Sequence, residues 1–122
     1  MLNTKDLPQE IRELQIEIPE GYSLVFERGL TNVAPWRFLG VEEFGGMYEA
    51  LKDLYPDSLF IPFARRVDND DIACIVAKNP DHRAQQIVIV HMFASPDYAI
   101  DASFGDFWEW FHTAIDAMIE IP

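Results

Sequence analysis

The sequence predicts an α+β domain, an antiparallel sheet centred on a three-strand meander and flanked by helices. Three observations carry this. The runs Leu59–Arg66, Ile72–Ala77 and Gln86–Phe93 are apolar at most positions and are separated by turn residues. That is the pattern of strands covered on both faces. Val41–Leu54 and the segment after Asp106 place apolar residues at helical spacing instead. The order, strands in a block with helices on either side, reads as an antiparallel meander covered by helices.

Taken in order, Asp6-Leu7-Pro8-Gln9 opens a first helix, with Asp6 as cap, Pro8 in the first turn and Ile11 and Leu14 as a short apolar stripe. Ile16 and Ile18 lead to a turn at Pro19-Glu20-Gly21. Tyr22-Ser23-Leu24-Val25-Phe26 reads as a strand closed by Arg28-Gly29, and Thr31–Pro35 as loop. Trp36–Leu39 is either a brief strand or a buried turn. Val41–Leu54 aligns Phe44, Met47/Tyr48, Leu51 and Leu54/Tyr55 on one side and stops at Pro56. Its Gly45-Gly46 pair costs about 1 kcal/mol per glycine against alanine, so it either permits close packing or marks a break.

Pro62 inside Leu59–Arg66 cannot donate to a ladder, which predicts an edge strand or a bulge. Asp68-Asn69-Asp70-Asp71 and Asn79-Pro80-Asp81-His82 are turns, and Ser95–Tyr98 is loop. Ser103 and Asp106 have capping-box spacing. They predict a last helix with Phe104, Phe107/Trp108, Phe111, Ala114/Ile115 and Met118 on its core stripe. Trp110 falls about 100° from Phe111, which predicts partial exposure.

The 122 residues, 49% hydrophobic and 13% aromatic, suffice for one cored domain spanning 1–122. No apolar run approaches the roughly 18 residues of a membrane span. Met1–Asp6 has no signal-peptide character, and Cys74 is the single cysteine. Those features predict a cytoplasmic protein without a disulfide. The formal charge of −12, from 21 acids against 9 bases, disfavours binding to nucleic acid or anionic membrane. Beyond Arg83 there is no Lys or Arg, while Asp97, Asp101, Asp106, Glu109, Asp116 and Glu120 all lie there. A field of one sign either attracts basic partners or serves solubility alone.

Chemistry is scarce. Cys74 lies in an apolar strand, where a thiol behaves as a small buried hydrophobe. His91 reads as a core histidine, His82 lies in a turn and His112 on the last helix. No two have metal-ligand spacing. Asp68, Asp70 and Asp71 invite a calcium loop, but counting Asp68 as the first position puts Ala73 where glycine is needed and Asn79 where glutamate is needed. A hairpin turn explains them. No cofactor or metal is predicted, and no catalytic set.

The ensemble Pro35-Trp36-Arg37-Phe38-Leu39, Tyr55-Pro56, Ile61-Pro62-Phe63-Ala64-Arg65-Arg66, Asp68–Cys74, Val88–Ala94 and Ser103–Trp108 resembles the SUKH superfamily. That group contains a yeast cell-wall assembly regulator and many bacterial relatives. The resemblance runs from Pro35 to the C-terminus, and the stretch before Pro35 matches less clearly. It implies a sheet wrapped by helices and no catalytic residues. For the bacterial members it implies immunity proteins that bind and block a cognate toxin. Several such toxins are nucleases with basic grooves, which an acidic protein could occupy. The first contact candidates are Asp68, Asp70 and Asp71 of the turn, with Trp36 and Trp110 as aromatic anchors. Two alternatives stand beside this: a regulatory scaffold with an unrelated partner, and a small enzyme or ligand-binding domain whose pocket the sequence does not reveal. The oligomeric state is left open.

Overall fold

The computed structural model describes residues 7–13, 17–76, 86–92 and 100–120. The expected residues Asp6, Leu14 and Ile16, the Asn79–His82 turn and the Ser95–Tyr98 loop lie outside these. The described residues form four helices and six strands. In chain order they are α1 (Gln9–Arg12), α2 (Glu20–Glu27), β1 (Asn32–Val33), β2 (Trp36–Phe38), α3 (Val41–Leu54), β3 (Phe60–Arg66), β4 (Asp71–Val76), β5 (Ile87–His91), β6 (Ile100–Phe104) and α4 (Phe107–Glu120). The strands make one open sheet in the order β1-β2-β3-β4-β5-β6, every neighbouring pair antiparallel. The α+β fold with a central meander is thus the observed one, and the meander extends to six strands.

Strand alternation divides the apolar residues between two faces. Ile61, Phe63, Ile75, Ile87 and Ile89 turn to one face, where α1, α2 and α4 cover them. Phe60, Ile72, Cys74, Val88 and Val90 turn to the other, against the C-terminal half of α3. α3 serves both clusters, Phe44 and Tyr48 in the first and Leu51 and Tyr55 in the second. Cover on both faces is why β3, β4 and β5 are apolar at nearly every position. Pro62 does sit at a bulge: the register between β3 and β4 shifts between Pro62 and Ala64. β3 is an interior strand, so the bulge and not an edge position accommodates the proline.

Several expectations are corrected. Residues 22–26 are helical, within α2, and Pro19-Glu20-Gly21 is the start of that helix and not a turn. As a strand, Tyr22, Leu24 and Phe26 would share a face. As a helix, α2 buries Gly21, Tyr22 and Val25 together and leaves Leu24 in solvent. Gly29 ends the helix at φ 75°, and the N–H groups of Leu30 and Gly29 donate to the carbonyls of Val25 and Phe26. This is a Schellman motif, for which glycine is the usual residue. Asn32–Val33, expected as loop, pairs with β2, and the Ala34–Pro35 peptide between them is cis. Trp36–Phe38 resolves as a strand.

The last helix begins later than Ser103 implies. Ser103 and Phe104 belong to β6, with Ser103 opposite Val88. Asp106 caps instead, its Oδ1 accepting from the Glu109 N–H at 2.9 Å, while the Glu109 carboxylate accepts from the Gly105 N–H. The buried stripe is Phe107, Trp110, Phe111 and Ala114, turned from the expected one towards Trp110 by packing against β2 and β3. Trp110 is therefore 0% exposed, and the exposed tryptophan is Trp108, at 43%.

Candidate functional site

The proposed anchors Trp36 and Trp110 are both core residues. Trp36 is 3% exposed and meets Trp110 edge-to-face at 5.5 Å between ring centroids. The inward-facing positions of β2 send Trp36 and Phe38 towards α4, which fills the space with Trp110. Neither indole can reach a partner as the structure stands.

The acidic turn is more open. Asp68 is exposed and receives both the Nε and a terminal nitrogen of Arg66 at 2.9 Å. That hydrogen-bonded guanidinium holds the Asp68 carboxyl below its ordinary range. Arg66 also lies over the Trp36 ring, 5.8 Å from its centroid, so the turn is tied to the core through one side chain. Asn69 Oδ1 accepts from the Asp71 N–H at 2.8 Å, an Asx turn. Asp71 is the first residue of β4 and is 8% exposed, its Oδ1 2.7 Å from His91 Nδ1. The two residues face each other in the β4–β5 register. His91 is thus a half-open strand-end residue and not a core histidine. Asp70 is exposed and free to meet a partner's cation.

The structure brings this turn against α3. A groove of about 300 Å³ lies between them, lined by Gly46, Met47 and Ala50 of α3 and by Asn69, Asp70 and Arg65. A second groove, also about 300 Å³, runs along the other side of α3 above the β3 bulge. Its walls include Tyr22, Leu39, Phe44, Tyr48 and Phe63. Between the grooves α3 exposes Glu42, Gly45, Gly46, Glu49 and Asp53. This acidic helix side next to the turn is the surface that sequence reasoning missed. The signal for it is the Gly45-Gly46 pair. Neither expectation for that pair holds: the helix is unbroken, and a Cβ built on either glycine meets nothing within 4 Å. Gly45→Ala and Gly46→Ala are therefore each expected to raise stability by about 0.5–1 kcal/mol through helix propensity and a restricted unfolded chain. Urea unfolding checks this, and a lower midpoint in either variant would refute the open-space reading.

Ion pairs brace the surface from below. Glu43 accepts from both terminal nitrogens of Arg37 at 2.7 Å and from the Gly40 N–H at 3.2 Å. These bonds, Arg37 first, hold its carboxyl down from the ordinary 4.5 to about 2. Glu10 accepts from Tyr48 Oη at 2.8 Å and from Lys52 Nζ at 3.1 Å. Its carboxyl also lies at about 2, lowered first by a backbone hydrogen bond and then by these two partners. A carboxyl depressed in the folded state stabilises fully above its unfolded value and loses that contribution as pH falls through the folded one. Stability is thus expected to decline from pH 4.5 towards pH 2. Both side chains are more than a third exposed, so solvent screening keeps each contribution small. Urea midpoints measured down the pH scale check this. Glu43→Gln should flatten the decline, and an unchanged profile would rule out the pair as its source.

Cys74 is fully buried, and burial pushes its thiol well above the ordinary value. Among the described residues no three His, Cys, Asp or Glu side chains are grouped as metal ligands, and no helix is long and apolar enough to cross a membrane. No protein-family model, curated protein or solved structure matches this chain.

Proposed function

We propose that this is a non-enzymatic binding protein of the cytoplasm that neutralises a cognate toxin by direct contact, the partner being a basic protein domain. The observation that carries the reading is that the turn and α3 meet at one groove, with Asp70 in its lining, while α3 exposes Glu42, Glu49 and Asp53 beside it. Asp70, Glu42, Glu49 and Asp53 stand in solvent, on a hairpin and a helix that pack on the core. A chain of net charge −12 brings a basic partner in quickly and orients it. The likeness of Pro35–Trp108 to the SUKH superfamily, with its bacterial immunity proteins, supports the same reading. Isothermal calorimetry against the toxin encoded beside this protein tests it. Binding is expected at micromolar concentration or tighter, weakening as salt is raised. No heat of binding to any neighbouring toxin at micromolar concentration would sink it.

A further inference from the structure

Of the two grooves beside α3, the one above the β3 bulge differs in chemistry. The turn-side groove carries Arg65 and Asp70, charges of both signs. In the bulge-side groove Glu49 is the one charged residue of the lining among the described residues. Its walls otherwise are rings and aliphatic groups, with Tyr22, Phe44, Tyr48 and Phe63 around the space and Val41, 62% exposed, at the lip. The nearest basic side chain on α3, Lys52, is held by Glu10. Gly45 forms part of the wall, and no neighbour accounts for its being glycine. Alanine there would fit and would favour the helix by about 1 kcal/mol. What the missing side chain does is leave helix backbone bare along the groove, as close approach by a ligand requires.

On the premise of a basic protein partner, we infer that the groove above the β3 bulge is the anchor pocket, taking an aromatic side chain flanked by Lys or Arg on the partner. Tyr22, Phe44, Tyr48 and Phe63 are buried and make an apolar floor, and Val41 with the bare backbone of Gly45 is the open wall on which a guest ring packs. Glu49 in the lining meets a flanking cation, and Glu42, exposed on the same helix, adds to the negative field. About 300 Å³ is at the small end for a ligand pocket, which suits a side chain. A buried aromatic surrounded by a polar rim is the usual composition of an interface hot spot.

The test uses the full chain, isotopically labelled, and a capped peptide with one phenylalanine between lysines. Amide shift changes are expected along Leu39–Glu49 and at Phe63. Replacing the phenylalanine with alanine, or the lysines with glutamates, should abolish them. Gly45→Leu fills the groove on a helix that tolerates leucine, and should weaken the peptide by about tenfold or more. Ile119→Ala, 72% exposed on α4, should leave peptide binding unchanged. Shift changes at Asp68–Asp71 or on α4, with the groove silent, would overturn the anchor pocket and leave the basic-partner reading standing. Equal binding by the alanine peptide, or by Gly45→Leu, would overturn it in the same way. No shift change anywhere at millimolar peptide would overturn both.

Discussion

Trp110→Ala is expected to remove about 3–5 kcal/mol of stability, the range for truncating a large buried aromatic. Trp110 is 0% exposed and its ring lies within 6.2 Å of Trp36, Phe38, Phe63, Phe107 and Phe111, centroid to centroid. Those rings come from β2, β3 and α4, so one deletion loosens three elements. A domain of this size has about 5–15 kcal/mol in total, and the variant should be at or near the edge of folding. In urea the midpoint should fall by on the order of 2 M, given a slope of about 1–3 kcal/mol per molar. The indole N–H has no hydrogen-bond partner among the described residues. Trp110→Phe removes that buried donor, worth about 1–3 kcal/mol, along with some ring area, so it should cost less than half as much as alanine. A shift of a few tenths of molar in Trp110→Ala would mean that the ring is not in the core.

The opposite forecast follows from the amino-acid pattern alone, and the difference shows where sequence reading stops. Capping-box spacing occurs twice in succession, Ser103 to Asp106 and Asp106 to Glu109. Pairing of Ser103 with Val88 in the sheet decides between them, and that pairing is not visible in a local window. Trp110 faces inward because α4 packs it against Trp36, Phe38 and Phe63 of β2 and β3, which leaves Trp108 on the outer side. α2 is a similar case. Tyr22-Ser23-Leu24-Val25-Phe26 alternates like a strand, while the better evidence lay in its boundaries, with Pro19-Glu20 before and Gly29 after. β3, β4, β5 and α3 were legible because burial on both faces and a helical stripe with a proline stop are local patterns. Of the site, the cluster Asp68–Asp71 could be read directly. That Asp71 faces inward to His91 could not, since their pairing spans two strands. The anchor groove is assembled from α2, α3 and β3, and no single segment encodes it.

Gly21→Ala is expected to destabilise the protein, by about 1–2 kcal/mol net, although the same change at Gly45 or Gly46 stabilises it. All three glycines lie inside helices, so helix propensity favours alanine by about 1 kcal/mol at each. Space decides the sign. A Cβ on Gly21 would stand 2.8 Å from Phe107 Cδ1 and 2.8 Å from Trp108 Cε2, well inside contact distance. Trp108 is partly in solvent and can swing away. Phe107 is held by Tyr22, Phe38, Phe63 and Trp110, and cannot. Alanine therefore pushes α2 off the start of α4, an overpacking cost of about 1–3 kcal/mol that outweighs the propensity gain. Combining Gly21→Ala with Trp108→Ala removes one of the two clashes and should recover only part of the loss, because Phe107 remains. Thermal and urea unfolding of the single and double variants make the comparison. If Gly21→Ala is as stable as the parent, the close approach of α2 to α4 at this residue is not what holds the two helices together.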